Sequence, residues 1–214
     1  MQPSAELRWF WPNTLPTEVQ AWYFAAETVG GGGLRRDEYF IGSGHSELGI
    51  KRRDVRPENP TPLIEIKGLV DVIKPGLELR SGNAGLELWS KWACSGIDFS
   101  AGNSLYLNKR RWLRKFSISG QIITEVPLDI MEKPLDANVV LPFEGCNVEL
   151  TKVALDGSAE TEWFTFGLEA FGPLHSVLHN LRQTSQHLKI GSLSDLSPEH
   201  QMSYPAWLKL VTKQ

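Results

Sequence analysis

The chain has 214 residues and a formal net charge of −3, with 41% hydrophobic and 22% charged residues. That length suits one large domain with a sizeable core, and the composition excludes a disordered tail. The acidic balance argues against a dedicated nucleic-acid-binding protein, so we do not expect nucleic acid as a partner.

The sequence carries no membrane or secretion signal. No apolar stretch approaches the roughly 18 residues of a membrane-spanning helix, and the first residues lack the basic and apolar regions of a signal peptide. Cys94 and Cys146 do not have the spacing of a zinc site. In a secreted protein they could form a disulfide, but two ordinary thiols are more typical of a reducing compartment. We therefore expect a soluble cytoplasmic protein with no membrane association.

The first elements in chain order are a strand and a helix. Residues 7–11 predict a short aromatic strand, which a proline-containing turn ends. Pro16 at a first helical position favours a helix that continues to about Thr28. Four glycines, Gly30 to Gly33, then end this helix. They lack the Lys-Ser/Thr of a P-loop, so a plain linker is favoured over a phosphate-binding loop.

The middle of the chain is a run of predicted strands. Alternating apolar residues with turn signals between them predict strands at 37–41, 48–54, 63–70, 86–94, 110–118, 147–155 and 162–171. Helices are predicted from about residue 173 and around 205–211. The expected fold class is α+β: one domain over 1–214, with an antiparallel β-barrel or tunnel of about eight strands and flanking helices.

Charged residues two positions apart recur within these strands. Glu65 and Lys67 share one strand face and isoleucines occupy the other, because strand side chains alternate between faces. Charged residues also recur within the strand-like segments 49–53, 87–91, 109–115 and 148–152. In an open sheet such a face would meet water. In a closed barrel it would line the lumen and could bind a polyanion.

The segment around Trp112 is basic on both faces. If Trp112, with Arg110 and Arg114 beside it, faces the core, then the face that carries Lys109 and Arg111 lines the lumen. We select Arg111 on that argument. The alternative is a solvated basic edge strand, which natural sheets use to prevent aggregation.

Five segments occur in an order that a known family shares. They are Glu6-Leu7-Arg8, Asp37-Glu38-Tyr39-Phe40, Leu48-Gly49-Ile50-Lys51-Arg52-Arg53, Val148-Glu149-Leu150 and Ser203-Tyr204-Pro205-Ala206-Trp207-Leu208. Together they resemble the CYTH-like, or triphosphate tunnel metalloenzyme, superfamily. Members of that superfamily build an eight-stranded antiparallel tunnel with a charged lumen. The resemblance covers most of the chain and rests on spacing and order.

The chain departs from the family pattern in two strands. The family's Glu-x-Glu-x-Lys corresponds to Glu6-Leu7-Arg8-Trp9-Phe10, so Arg8 replaces the second Glu and Phe10 replaces the Lys. In the last strand, Gly167-Leu168-Glu169 keeps one acid where a Glu-x-Glu pair is expected. The resemblance thus implies a divergent relative that keeps the basic side chains of the tunnel and lacks some of the acids that bind metal.

The resemblance implies a set of site residues but no assigned catalytic residue. Five basic side chains would hold phosphates, by arginine forks and lysine point charges: Lys51, Arg53, Lys67, Lys91 and Arg111. Three acids would hold Mg²⁺ or Mn²⁺ as a cofactor: Glu6, Glu149 and Glu169. The alternative for these acids is pairing with lysines on their own or neighbouring strands.

The function that this resemblance implies is binding of a small phosphorylated anion, a triphosphate or a polyphosphate, in a basic tunnel. Divalent-metal-dependent phosphohydrolase activity is compatible with it. Two alternatives stay open at this point. One is a non-catalytic relative that binds an organic anion or a protein partner. The other is an unrelated β-sandwich or lipocalin-like barrel whose lumen holds an apolar ligand.

Overall fold

The computed structural model of the chain describes residues 1–26, 29–41, 46–73, 85–95, 103–157 and 162–212. Its strands are β1 (Gln2–Pro12), β2 (Gly30–Phe40), β3 (Leu48–Arg53), β4 (Leu63–Ile73), β5 (Leu86–Cys94), β6 (Ser104–Ser119), β7 (Ile122–Val126), β8 (Gly145–Leu155) and β9 (Glu162–Phe171). Its helices are α1 (Thr17–Phe24), α2 (Leu174–His187) and α3 (Tyr204–Val211). None of these helices has the length and hydrophobicity of a membrane span.

Eight of the strands close into an antiparallel barrel. Their order is β2-β3-β4-β5-β1-β9-β8-β6, and β6 pairs back with β2 to complete the ring. The 16 residues of β6 are enough to pair with β2 along the first part and with β7 along the last part. Strand β7 therefore lies outside the ring. The predicted α+β class and barrel of about eight antiparallel strands are confirmed.

The element boundaries differ from the predicted ones mainly by extension. Strand β1 begins at Gln2, not at Leu7, and β6 begins at Ser104, six positions before the predicted start. Strand β7, with five residues, is too short for its alternation to stand out in the sequence. Helix α1 ends at Phe24, earlier than predicted, and the predicted end at Thr28 lies outside the described residues.

The four glycines, for which a linker was the favoured prediction, are instead the start of β2. Gly30 and Gly31 pair with β6, and Gly32 and Gly33 lie in a bulge between Gly31 and Leu34. Gly31 has a φ of 92°, in the region that glycine adopts readily and other residues rarely do. A Cβ atom on Gly31 would lie 2.5 Å from the carbonyl oxygen of Arg111. The glycines thus allow β2 to approach β6 closely where the barrel closes.

Substitution at this bulge should depend on position. Gly31→Ala is expected to lower the free energy of unfolding by about 1–3 kcal/mol, because alanine is strained at that φ. Gly33→Ala is the control: the nearest atom to its added Cβ is 3.9 Å away, so we expect a change below about 0.5 kcal/mol. Urea denaturation followed by circular dichroism measures both variants. Equal losses would contradict the proposed role of the bulge.

The largest apolar cluster lies on the outside of the barrel wall. The outward face of β1, carrying Leu7 and Trp9, belongs to one buried cluster with Val177 and Leu181 of α2. Both α2 residues belong to the helix that the sequence predicts from about residue 173. Cys146 lies in the same cluster, and neither Cys146 nor Cys94 forms a disulfide.

A second apolar cluster closes one end of the barrel. Trp207 of α3 stacks on the inward-facing Phe10 of β1 with ring centroids 5.1 Å apart. Tyr39, Leu107 and other inward residues of the strands belong to the same cluster. Helix α3 therefore acts as a plug, and the charged part of the lumen lies behind it.

Candidate functional site

The barrel lumen contains a cavity of about 700 Å³, counted together with the solvent at its mouth. Every barrel strand contributes at least one side chain to the lining. The charged lining residues are Glu6, Arg8, Arg35, Lys51, Arg53, Glu65, Lys67, Lys91, Lys109, Arg111, Glu149 and Glu169. Among these described residues eight are basic and four are acidic, and Asp37 and Glu132 form ion pairs with lining residues from behind. When all are ionised, the excess is four positive charges for the lining itself and two with these partners included.

All eight residues selected from the sequence lie in this lining. They are the basic Lys51, Arg53, Lys67, Lys91 and Arg111 and the acidic Glu6, Glu149 and Glu169. Arg111 lines the cavity, whereas Trp112 packs against the outer core and Arg110 is exposed. Whether these side chains bind a ligand stays a prediction.

A carboxylate bridges two arginines at the centre of the lumen. Arg8 donates from Nη1 to Oε1 of Glu149 at 2.7 Å, and Arg111 donates from Nη1 to Oε2 at 3.1 Å. Arg8 and Glu149 are each about 7% exposed. Burial by itself would raise the pKa of Glu149, but the two arginines hold that pKa well below its usual value. Glu149 is therefore ionised, and each of its two carboxylate oxygens accepts a hydrogen bond from an arginine.

The other lining acids also have basic partners. Glu65 contacts Lys51 at 2.7 Å and Arg53 at 3.3 Å. Glu6 forms an ion pair with Lys67. Glu169 has a looser contact, 3.9 Å from Lys91. The structure therefore places these carboxylates in internal ion pairs. Glu65 pairs with the neighbouring strand β3, whereas Glu6 and Glu169 reach lysines that lie one strand further away than the sequence-based alternative assumed.

A lysine and two tyrosines form the inner end of the cavity. Lys109, 3% exposed, donates to the Tyr39 hydroxyl at 2.6 Å and lies 4.0 Å from the centre of the Tyr204 ring. The fully buried Asp37 lies 3.5 Å from Lys109 and also contacts Arg35 at 2.8 Å. Burial lowers the pKa of Lys109 well below its usual value, although Asp37 acts in the opposite direction.

Acid pH should destabilise this charge network. Burial would raise the pKa of Asp37 and of Glu65, but their basic neighbours hold both pKa values below the usual range, as they do for Glu149. Their contribution to stability is present above the unfolded-state pKa of about 4 and is lost as the pH falls towards the folded-state pKa. We expect the melting temperature to decrease once the pH is lowered past about 4.5. Thermal melts between pH 7 and pH 3 measure this, and Asp37→Asn should flatten the dependence.

The predicted metal ligands do not fit a divalent cation in their present arrangement. Glu6 lies directly opposite Glu169 in the β1–β9 register, but Glu6 is paired with Lys67. Both oxygens of Glu149 are bonded to arginines. Within the described ranges, no three His, Cys, Asp or Glu residues form a group that could hold a metal ion. The Mg²⁺ or Mn²⁺ site stays a prediction that the side-chain geometry does not support.

The lining does not suit an apolar ligand either. Of the sixteen lining residues in the described part of the chain, twelve are charged. Ligand pockets for apolar molecules are lined mostly by hydrophobic and aromatic side chains. Three residues that the sequence analysis did not select, Arg8, Arg35 and Lys109, add to the basic part of the lining.

Comparisons with known proteins give a fold-level likeness only. No protein-family model matches the chain, and no curated protein matches it. Among solved structures, the chain is similar to a conserved hypothetical protein from Pyrococcus furiosus, with a TM-score of 0.48 and 10% sequence identity. The alignment covers 95% of this chain and 98% of that chain. This likeness assigns no function, and the functional conclusion therefore depends on the lumen itself.

Proposed function

We propose that this protein binds a small phosphorylated anion, such as a triphosphate or a short polyphosphate, in the lumen of its barrel. The observation that carries the proposal is the lining of one cavity by eight basic and four acidic residues. An excess of positive charge inside a low-dielectric wall attracts anions and forms charge-assisted hydrogen bonds with phosphate oxygens. The resemblance to the CYTH-like superfamily supports the same class of ligand.

The contacts suggest where such an anion would bind. Lys67 and Lys91 lie directly opposite each other on β4 and β5. Like charges in directly opposite positions destabilise a sheet, and a bound anion between them would remove that repulsion. Arg53 on the adjacent β3 also lines this part of the cavity, and its side chain is about one-third exposed. These three residues are accessible to a ligand that enters from the mouth.

Hydrolysis of the bound anion is a separate question from binding. Metal-assisted phosphohydrolysis needs carboxylates that can hold the ion and orient a water molecule. The lining carboxylates are each paired with a basic side chain. We therefore propose binding as the function and treat phosphate release as the activity to assay beside it.

Titration calorimetry and thermal unfolding with sodium tripolyphosphate test the proposal. A concentration one hundred times the Kd should stabilise the folded protein by about 2.7 kcal/mol. Lys91→Gln removes a lysine whose acidic partner is 3.9 Å away, and we expect it to weaken binding about tenfold, or about 1.4 kcal/mol. Lys152→Gln, on the outer face of β8, is the matched control and should bind like the unmodified protein.

Inorganic phosphate released in the same tubes distinguishes an enzyme from a binder. Stabilisation without release supports an anion-binding protein, and stabilisation with release adds a phosphohydrolase activity. The absence of any stabilisation by tripolyphosphate at low salt would contradict the proposal, because electrostatic binding is strongest there.

A further inference from the structure

Arg8 occupies the centre of the lumen as a buried, fixed charge. It is 7% exposed and lines both the main cavity and a second cavity of about 520 Å³, counted with its solvent. The hydrogen bonds of its side chain to described residues all leave from Nη1, to Glu149 at 2.7 Å and to Thr165 at 3.3 Å. The Nε and Nη2 donors are therefore available to an anion in the cavity.

Because Gly167 has no side chain, the Arg8 guanidinium can occupy the space beside it. Gly167 is directly opposite Arg8 in the β1–β9 register and directly opposite Glu149 in the β8–β9 register. A Cβ atom on Gly167 would lie 2.9 Å from Cζ of Arg8 and 3.1 Å from each terminal nitrogen. Any larger residue at position 167 would compete with the guanidinium for the same space. The buried arginine at position 8 therefore requires a glycine at position 167.

These are the two positions at which the sequence lacks the acids expected of a metal-binding tunnel. In their place the structure has one guanidinium, which is bonded to Glu149 of β8. A divalent cation that approached Glu149 would have to displace Arg8 or Arg111 from its oxygens. Displacement would leave a buried guanidinium without its partner, which is strongly unfavourable. The site is therefore built around an arginine and not around a metal ion.

We infer that the lumen binds its phosphorylated anion without a divalent metal ion, and that Arg8 supplies the positive charge that a metal would otherwise bring. The inference rests on the proposed function and makes it more specific. Arg8 holds Glu149 with one nitrogen and offers a second to a phosphate oxygen. Arginine suits this role because its planar fork carries several donors in fixed directions and stays charged.

The first experiment compares the Kd for tripolyphosphate in EDTA with the Kd in Mg²⁺. The concentration of free ligand is corrected for the tripolyphosphate that forms a complex with Mg²⁺ in solution. We expect the same Kd within about twofold. Electron paramagnetic resonance of Mn²⁺ with the protein alone should show no bound ion at micromolar concentrations. Binding that requires Mg²⁺, or Mn²⁺ held by the unmodified protein, would overturn the inference and leave the proposed function standing. No binding in either buffer would overturn both.

Variants of Arg8 give a second test. Arg8→Gln should weaken tripolyphosphate binding at least tenfold and reduce its salt dependence, and Arg8→Lys should restore part of both. Arg110→Gln, an exposed arginine of β6, is the matched control and should change neither. Arg8→Glu, if circular dichroism shows it folded, should gain Mn²⁺ binding. Unchanged affinity and salt dependence in Arg8→Gln would also overturn the inference, whether or not Arg8→Glu folds.

Discussion

Glu149→Gln is expected to lower the free energy of unfolding by about 3–5 kcal/mol. Glutamine has a similar size but no charge, so Arg8, buried and bonded to Glu149 at 2.7 Å, would lose its principal partner. Arg111 would keep its second partner, Glu132. The loss should therefore arise mainly from one buried guanidinium without a counter-charge. Urea denaturation at pH 7 measures it.

The control for this variant is an ion pair on the barrel surface. Lys152 contacts Glu162 at 2.6 Å, and both side chains are more than one-third exposed. Glu162→Gln should change the free energy of unfolding by less than about 1 kcal/mol, because exposed pairs contribute little. Equal effects of Glu149→Gln and Glu162→Gln would show that the buried bridge does not stabilise the fold.

The same Glu149→Gln variant should bind tripolyphosphate several-fold more tightly. It removes one of four lining acids and frees guanidinium donors for the ligand. Stability and affinity would then change in opposite directions, whereas a metal-ligand role for Glu149 predicts that affinity falls. Calorimetry well below the melting temperature of the variant separates the two roles.

Trp207→Ala should also be strongly destabilising, by about 3–5 kcal/mol. The side chain is fully buried, stacks on Phe10 and meets the ring of Trp163 edge-on at 5.7 Å. Its indole nitrogen has no hydrogen-bond partner among the described residues. The loss would therefore come from packing alone. Urea denaturation followed by far-ultraviolet circular dichroism measures it.

Trp92→Ala is the matched control for this variant. Trp92 lies on β5 and is 46% exposed, so we expect a change below about 1 kcal/mol. Trp207→Phe should recover much of the stability lost in Trp207→Ala, because a ring can still stack on Phe10. If Trp207→Ala were no more destabilising than Trp92→Ala, α3 would not be the plug of the barrel.

The alternation of side chains between the two faces of each strand predicted many of the lining residues. It could do so because a sheet that closes into a barrel keeps alternate side chains on the same face. Glu65 and Lys67, two positions apart, both line the cavity. The period of two decides only which residues share a face, and the closed ring then makes that face the lumen. The placement of Trp112 decided between the two basic faces of β6 in the same way, since an aromatic ring packs better outside a charged lumen.

The residues that sequence reasoning missed depend on long-range contacts. Arg35 follows glycines whose pattern indicates a linker, and only pairing with β6 makes that segment a strand. Glu132 lies in a loop and reaches Arg111 from there, and loop geometry has no periodic signal. In the sequence, Arg8 stands only as a departure from the pattern of the superfamily that the chain resembles. Its buried position depends on Gly167, some 160 positions later in the chain, and no local pattern links the two.

Barrel closure by β1 has a consequence for synthesis of the protein on the ribosome. Strand β1 ends at Pro12, and its partner β9 begins at Glu162, roughly 150 residues later. At about 5–20 residues per second, the first strand waits about 8–30 s for that partner. In that time β5 can cover one edge of β1, but the edge that pairs with β9 stays open, and Trp9 and Phe10 lack their ring contacts to Phe166, Tyr204 and Trp207. The nascent chain therefore keeps one edge of this aromatic strand unpaired until β9 has been made.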